Sequence, residues 1–162
     1  MITNRAAYIA TYWFLGMECE RSKSDDICSI ATCMGPGING QNGDPAMPED
    51  WDFLNRSSRM TIEEAYAAAL SWLSLTANFW HSDDLRELVI KMSNSRDEKN
   101  SDMWVIWSKA LDSATEGKPV RWFLANKDVQ DVFWKPNQDG TVTLTTVTEG
   151  VKQCSRTVSG PW

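Results

Sequence analysis

Residues 61–107 read TIEEAYAAALSWLSLTANFWHSDDLRELVIKMSNSRDEKNSDMWVIW, and this stretch decides the fold because an earlier part of the chain follows the same plan. Moved back by 58 positions, Ala65-Tyr66 falls on Ala7-Tyr8, Ala68 on Ala10, Leu73 on Leu15 and Ser82-Asp83-Asp84 on Ser24-Asp25-Asp26. Leu85, Leu88 and Met92 then fall on Ile27, Ile30 and Met34. After Met34 the first copy carries a Gly-rich insertion over 35–43, and the register resumes at a shift of 53, with Trp51 over Trp104 and Leu54 over Trp107. The pattern predicts a diverged internal duplication, with repeats at 6–55 and 61–112.

Each Ser-Asp-Asp junction has a plain physical reading. A serine ahead of acidic residues, followed by apolar residues at helical spacing, is a helix start: the hydroxyl caps free N–H groups and the carboxylates suit the positive end of the helix dipole. Thr61-Ile62-Glu63-Glu64 adds a capping box, with Thr61 at the N-cap and Glu64 at N3. In chain order the spacing predicts helices over 6–17, 25–34, 51–55, 61–80, 84–92 and 102–114. Gly16 with the charged run 18–23 is expected to end the first, and Gly35-Pro36-Gly37 the second. Trp13, Trp51, Trp72, Trp104 and Trp107 fall on inward faces, whereas Trp80, Trp122, Trp134 and Trp162 lie near segment ends or in the tail.

Beyond Gly117-Lys118-Pro119 the period changes. Residues 129–134 and 141–147, either side of the turn signal Gln138-Asp139-Gly140, read as a small antiparallel hairpin; a further helix over 120–133 competes with the first of these strands. The expected architecture is mainly α: internally duplicated three-helix units packed as one helical domain over 1–162, with a small C-terminal β-hairpin in the tail, 117–162.

Composition narrows the function. The 162 residues carry a net charge of -6, and the charge is uneven: residues 1–59, 60–116 and 117–162 sum to -3, -5 and +2. An acidic body disfavours nucleic acid and anionic membrane surfaces and favours a basic partner. No apolar run is long enough for a membrane span, and no secretory leader is visible, which makes the cytoplasm the expected compartment. Cys19, Cys28, Cys33 and Cys154 match no zinc spacing, and with one histidine in the chain they read as buried or half-buried free thiols. The glycine-rich run matches neither nucleotide-binding fingerprint. No cofactor or metal is expected.

His81, the only imidazole, stands one residue before the Ser82 cap and reads as structural, its place in the first copy taken by Lys23. Adjacent carboxylates such as Asp83 and Asp84 diverge by about 100° on a helix and cannot converge on one substrate atom. A metal held between Asp25/Asp26 and Asp83/Asp84 would require the two copies to bring these pairs together. No catalytic constellation assembles, so an enzyme is not expected.

The second copy, through Thr61-Ile62-Glu63-Glu64-Ala65-Tyr66, Ser82-Asp83-Asp84-Leu85, Leu88, Met92 and Trp104 with Trp107, resembles small helical immunity proteins of contact-dependent growth inhibition and related polymorphic toxin systems. The likeness covers residues 60–112, with a weaker echo over 5–55. This chain departs from the pattern in carrying the module twice and in adding the tail. The resemblance implies a cytoplasmic, non-enzymatic bacterial inhibitor that binds a cognate toxin domain, often a nuclease, in stoichiometric fashion. The partner-binding residues expected on that reading are Asp25, Asp26, Asp83, Asp84, Glu87 and Trp80. A helical adaptor built on the same repeats is the alternative, and a small enzyme a third.

Overall fold

The computed structural model describes residues 1–35, 44, 46–116, 131–136, 142–148 and 151–158. Among these the chain forms six helices: α1 (Asn4–Ser22), α2 (Asp25–Met34), α3 (Ala46–Leu54), α4 (Ile62–Phe79), α5 (Asp83–Asn94) and α6 (Asp102–Glu116). Two short strands, β1 (Ile2–Thr3) and β2 (Arg59–Met60), pair antiparallel with Ile2 opposite Met60. In the tail β3 (Asp131–Pro136), β4 (Val142–Thr148) and β5 (Val151–Val158) lie in that order, each antiparallel to its neighbour. The hairpin residues expected at 129–130 and 141 lie outside the described residues, as does most of the competing helix.

The first helix is longer at both ends than the spacing predicts. It begins at Asn4, because Thr3 caps it by accepting from the Ala6 N–H at 3.1 Å. It also runs through Gly16 and the charged stretch to Ser22. Glu18 with Arg21 and Glu20 with Lys23 are i,i+3 ion pairs that support a helix rather than end it. What stops α1 is Lys23, whose backbone turns left-handed at φ 58° while its N–H reaches back to the Cys19 carbonyl. Residues 6–16 of α1 are buried on all sides, as befits a helix at the centre of a bundle. Against it pack α2, α4 and, along much of its length, α6.

The start of α4 carries the expected cap. Thr61 accepts from the Glu64 N–H at 3.1 Å while the Glu64 carboxylate accepts from the Thr61 N–H at 2.7 Å, the capping box in full. The turn from α4 to α5 passes through His81 at φ 53°. Lys23 and His81 are the two non-glycine residues with positive φ among the described residues, and they are 58 positions apart.

Aromatic side chains fill the core. The Tyr8 hydroxyl donates to the Met34 carbonyl at 3.0 Å and the Tyr66 hydroxyl to the Met92 carbonyl at 2.9 Å, so each phenol closes the end of the following helix. Trp51 meets Tyr8 edge-on at 5.7 Å and Trp72 at 6.2 Å. Trp107 meets Tyr66 edge-on at 5.6 Å and Phe14 at 6.0 Å. Trp51 and Trp107 thus make similar edge-on contacts with Tyr8 and Tyr66, whereas the sequence register sets Trp51 over Trp104. The buried Met47 and Met103, and the helix starts Ala46 and Asp102, keep the same shift of 56. The registers of 53 and 56 differ by nearly one helical turn, so both present a tryptophan to the core. Trp104 instead stacks on Tyr66 with centroids 4.5 Å apart and the planes 11° from parallel.

The cysteines also depart from the free-thiol expectation. Cys19, near the end of α1, and Cys28, in the second turn of α2, form a disulfide with Cα atoms 4.9 Å apart. The tight turn at Lys23 brings the two helix ends within bonding distance, a closeness invisible in spacing alone. Cys33 is a free, half-buried thiol, its pKa raised by burial and by the nearby Asp44 carboxylate. Cys154 lies on β5.

Candidate functional site

The N-termini of α2 and α5 abut, and this contact organises the four aspartates singled out in the sequence. Ser24 caps α2 by accepting from the Ile27 N–H at 3.3 Å, and Ser82 caps α5 by accepting from the Leu85 N–H at 3.2 Å. Each hydroxyl also donates across to the opposite helix: Ser82 to Asp26 at 2.5 Å and Ser24 to Asp84. The caps are therefore crossed. A hydroxyl that accepts from its own helix and donates to the carboxylate of the other has its single proton engaged.

This arrangement divides the expected binding residues. Asp26 and Asp84 hold the helix junction, so their carboxylates are engaged within the chain. Asp25 is exposed. Asp83 points outward with 94% of its side chain exposed and pairs with Arg86 at 2.6 Å; Glu87, 67% exposed, pairs with Lys91 at 2.6 Å. Such exposed pairs add little stability and exchange readily for a partner's charges. No trio of His, Cys, Asp or Glu among the described residues is placed to hold a metal.

Trp80, the C-cap of α4, is exposed, and it sits beside two residues that sequence reading passed over. Phe79 is 83% exposed and Leu75, one turn earlier, 52% exposed. The signal was available: the inward face of α4 runs through Ala65, Ala69, Trp72, Leu73 and Ala77, which leaves Leu75 and Phe79 pointing away at i,i+4 spacing. An exposed Leu75–Phe79–Trp80 patch therefore runs directly into the acidic start of α5 at Asp83, Asp84 and Glu87. Apolar anchors bordered by charge are what protein-binding surfaces present. His81, exposed within the α4–α5 turn, has its backbone N–H bonded to the Asn78 carbonyl.

No helix among the described residues is long and apolar enough to cross a membrane. Compared with known proteins, the chain matches no family model, no curated protein and no solved structure.

Proposed function

We propose that this protein is an immunity protein that binds and neutralises a basic toxin domain, using the face formed by Leu75, Phe79 and Trp80 together with Asp25, Asp83 and Glu87. The observation that carries the reading is the exposure of Phe79 directly ahead of the outward Asp83 and Glu87. A large aromatic side chain left in water costs about 1.5–3 kcal/mol of unused burial. Acidic neighbours select a cationic surface and speed encounter with it. The acidic balance of residues 1–116 supports the same partner chemistry. Inhibition is by stoichiometric binding, without catalysis, and takes place in the cytoplasm.

The finer architecture belongs to the same reading. The chain is a duplicated three-helix unit, α1–α3 and α4–α6, followed by a β-hairpin of β3 and β4 in the tail. Its support is the crossed Ser82–Asp26 and Ser24–Asp84 bonds, the matched Tyr8 and Tyr66 phenols, and the left-handed Lys23 and His81.

The test is calorimetry with the product of the toxin gene encoded beside this one, repeated on Phe79→Ala and on Asp83→Lys with Glu87→Lys. Phe79→Ala is expected to weaken binding by about tenfold or more. The charge reversals should slow association and flatten its salt dependence, since both act on encounter. Tight binding indifferent to all three substitutions would move the site elsewhere on the protein, and the lack of any neighbouring protein that binds removes the role.

A further inference from the structure

The Cys19–Cys28 disulfide encloses one half of the α2–α5 junction. The ring it closes spans a sequence separation of nine and holds, in order, the left-handed Lys23, the cap Ser24 and the aspartates Asp25 and Asp26. Ser24 donates to Asp84 on α5, and Asp26 accepts from Ser82, the cap of α5, at 2.5 Å. Both α2-side partners of the crossed bonds therefore lie inside the ring. Their α5-side partners, Ser82 and Asp84, flank Asp83 and stand about one turn ahead of Glu87.

The other half of the junction has no such tether. Ala77 and Arg86 stand 58 positions after Cys19 and Cys28, and the α4–α5 turn keeps its left-handed His81 without a cross-link. Opening the disulfide is thus expected to leave the fold standing and to act on the α1–α2 turn. There the ring restrains Lys23, in a backbone conformation costly for a residue with a side chain, together with the last turn of α1 and the first of α2. Helix ends and strained turns are the parts of a fold that open first. Cys19 and Cys28 are both half-buried rather than buried, so attack by a thiolate does not require the core to unfold.

We infer that Cys19 and Cys28 form a thiol–disulfide switch on the α2–α5 junction and, resting on the function proposed above, on the acidic half of the toxin face. The exchange is with a low-molecular-weight disulfide. The Cys19 and Cys28 thiols give up two electrons and two protons as their S–S bond forms, the S–S bond of the oxidant breaks and two thiols leave; a dithiol reverses the step. Closed, the ring holds Ser24 and Asp26 opposite Asp84 and Ser82 and presents Asp25, Asp83 and Glu87 as one ordered surface. Open, the turn relaxes at Lys23, the crossed bonds break more often and the start of α5 loses part of its anchor, so a partner has to order that surface as it binds. In a reducing cytoplasm such a pair closes only transiently, which makes oxidation the signal and tighter toxin binding the output.

The test is amide hydrogen exchange of the full chain without toxin, oxidised and after reduction with dithiothreitol. The Leu85 and Ile27 amides, bonded to the Ser82 and Ser24 hydroxyls, are expected to exchange at least about fivefold faster in the reduced protein, while the Glu64 amide, bonded to Thr61 in the capping box, changes by less than about twofold. Glutathione disulfide should restore the slow exchange. Cys19→Ser with Cys28→Ser should exchange like the reduced protein and ignore the dithiol, which sets Cys33 aside. An unchanged Leu85 amide overturns the switch, and so does equal acceleration at Leu85 and Glu64, the mark of a loss of global stability alone. Calorimetry with the neighbouring toxin then reads the face, where reduction is expected to weaken binding by about threefold or more. Accelerated exchange at Leu85 with the same affinity in both states overturns the extension to the toxin face, whereas accelerated exchange with no toxin binding in either state supports the junction switch and counts against the proposed function.

Discussion

Ser82 donates its hydroxyl proton to Asp26 at 2.5 Å while accepting from the Leu85 N–H at 3.2 Å, so one side chain caps α5 and ties it to α2. Ser82 is buried, and removing its oxygen deprives both a helix N–H and a carboxylate of their partner. Ser82→Ala is expected to lower stability by about 1–2 kcal/mol, the upper part of the capping range. Ser24→Ala, in the more exposed half of the crossed pair, should cost less. A double-mutant cycle of Ser82→Ala with Asp26→Ala in urea unfolding should return a coupling of about 0.5 kcal/mol or more. Strict additivity would mean the crossed bond contributes nothing.

The Cys19–Cys28 bond closes a loop of nine residues' separation between α1 and α2. Loop-closure entropy for a ring of this size corresponds to about 2–3 kcal/mol. The double substitution Cys19→Ala with Cys28→Ala should therefore lower the urea midpoint, and a thiol reductant should lower the wild-type midpoint to the same extent. The same measurement bears on location, because a protein working in a reducing cytoplasm would carry these two residues as thiols. Mass spectrometry of alkylated protein taken directly from cells reads the state; full alkylation at both positions supports the cytoplasmic role, and protection of both points to an oxidising compartment.

How far the sequence speaks can be followed residue by residue. The capping box at Thr61 and Glu64, the Ser24 and Ser82 caps and the inward tryptophans were legible, because caps and apolar faces are local patterns with fixed spacing. The extent of α1 was not, since Gly16 and the run 18–23 look like a terminator unless one knows that α1 is central and that its charges pair along the helix. The Cys19–Cys28 bond and the contacts of Trp51 with Tyr8 and of Trp107 with Tyr66 arise from helices meeting in space. Of the expected binding residues, spacing alone could not separate Asp26 and Asp84, bonded to the serines of opposite helices, from Asp25 and Asp83, which are not.

Gly35 illustrates a residue whose reason differs from its apparent one. It follows α2 and looks like a helix-ending glycine, yet its φ of -77° suits any residue. What demands glycine is Tyr12: a Cβ at position 35 would lie 2.2 Å from the Tyr12 ring. Tyr12 is buried and cannot move aside without disturbing α1. Gly35→Ala is expected to destabilise by about 1–3 kcal/mol, and Tyr12→Leu in the same chain should recover part of that loss. A neutral Gly35→Ala in thermal unfolding would show that the ring gives way freely.

All three tyrosines have phenols whose ionisation the fold opposes. Burial raises the pKa of Tyr66 from 10.0 to about 12, and burial raises Tyr8 and Tyr12 further, Tyr8 with help from Asp44 and Asp52. A raised folded-state pKa favours the protonated form, so this contribution to stability is fully present below about pH 10 and is lost as pH climbs through the folded values. The native protein should show no tyrosinate absorbance at pH 10, and phenol ionisation should appear together with loss of helical circular dichroism. Ionisation of a tyrosine at its ordinary pH in the folded protein would contradict the burial.

Lys23 and His81 hold the α1–α2 and α4–α5 turns in left-handed backbone, at φ 58° and 53°. An ordinary L-residue pays about 1–2 kcal/mol for that conformation, and glycine adopts it freely at the cost of about 0.5–1 kcal/mol of extra freedom in the unfolded chain. Lys23→Gly and His81→Gly are therefore each expected to raise stability by about 0.5–1 kcal/mol. Lys23 gains less, because the substitution also removes its ion pair with Glu20. The His81 variant carries a second consequence. If the only histidine of the chain serves as a backbone turn and nothing more, toxin binding should be unchanged in the stabilised protein, and calorimetry beside thermal unfolding reads both at once. A His81→Gly protein that is more stable yet fails to bind would give the imidazole a role at the interface, and one that is less stable would mean the side chain makes up for its backbone strain through contacts of its own.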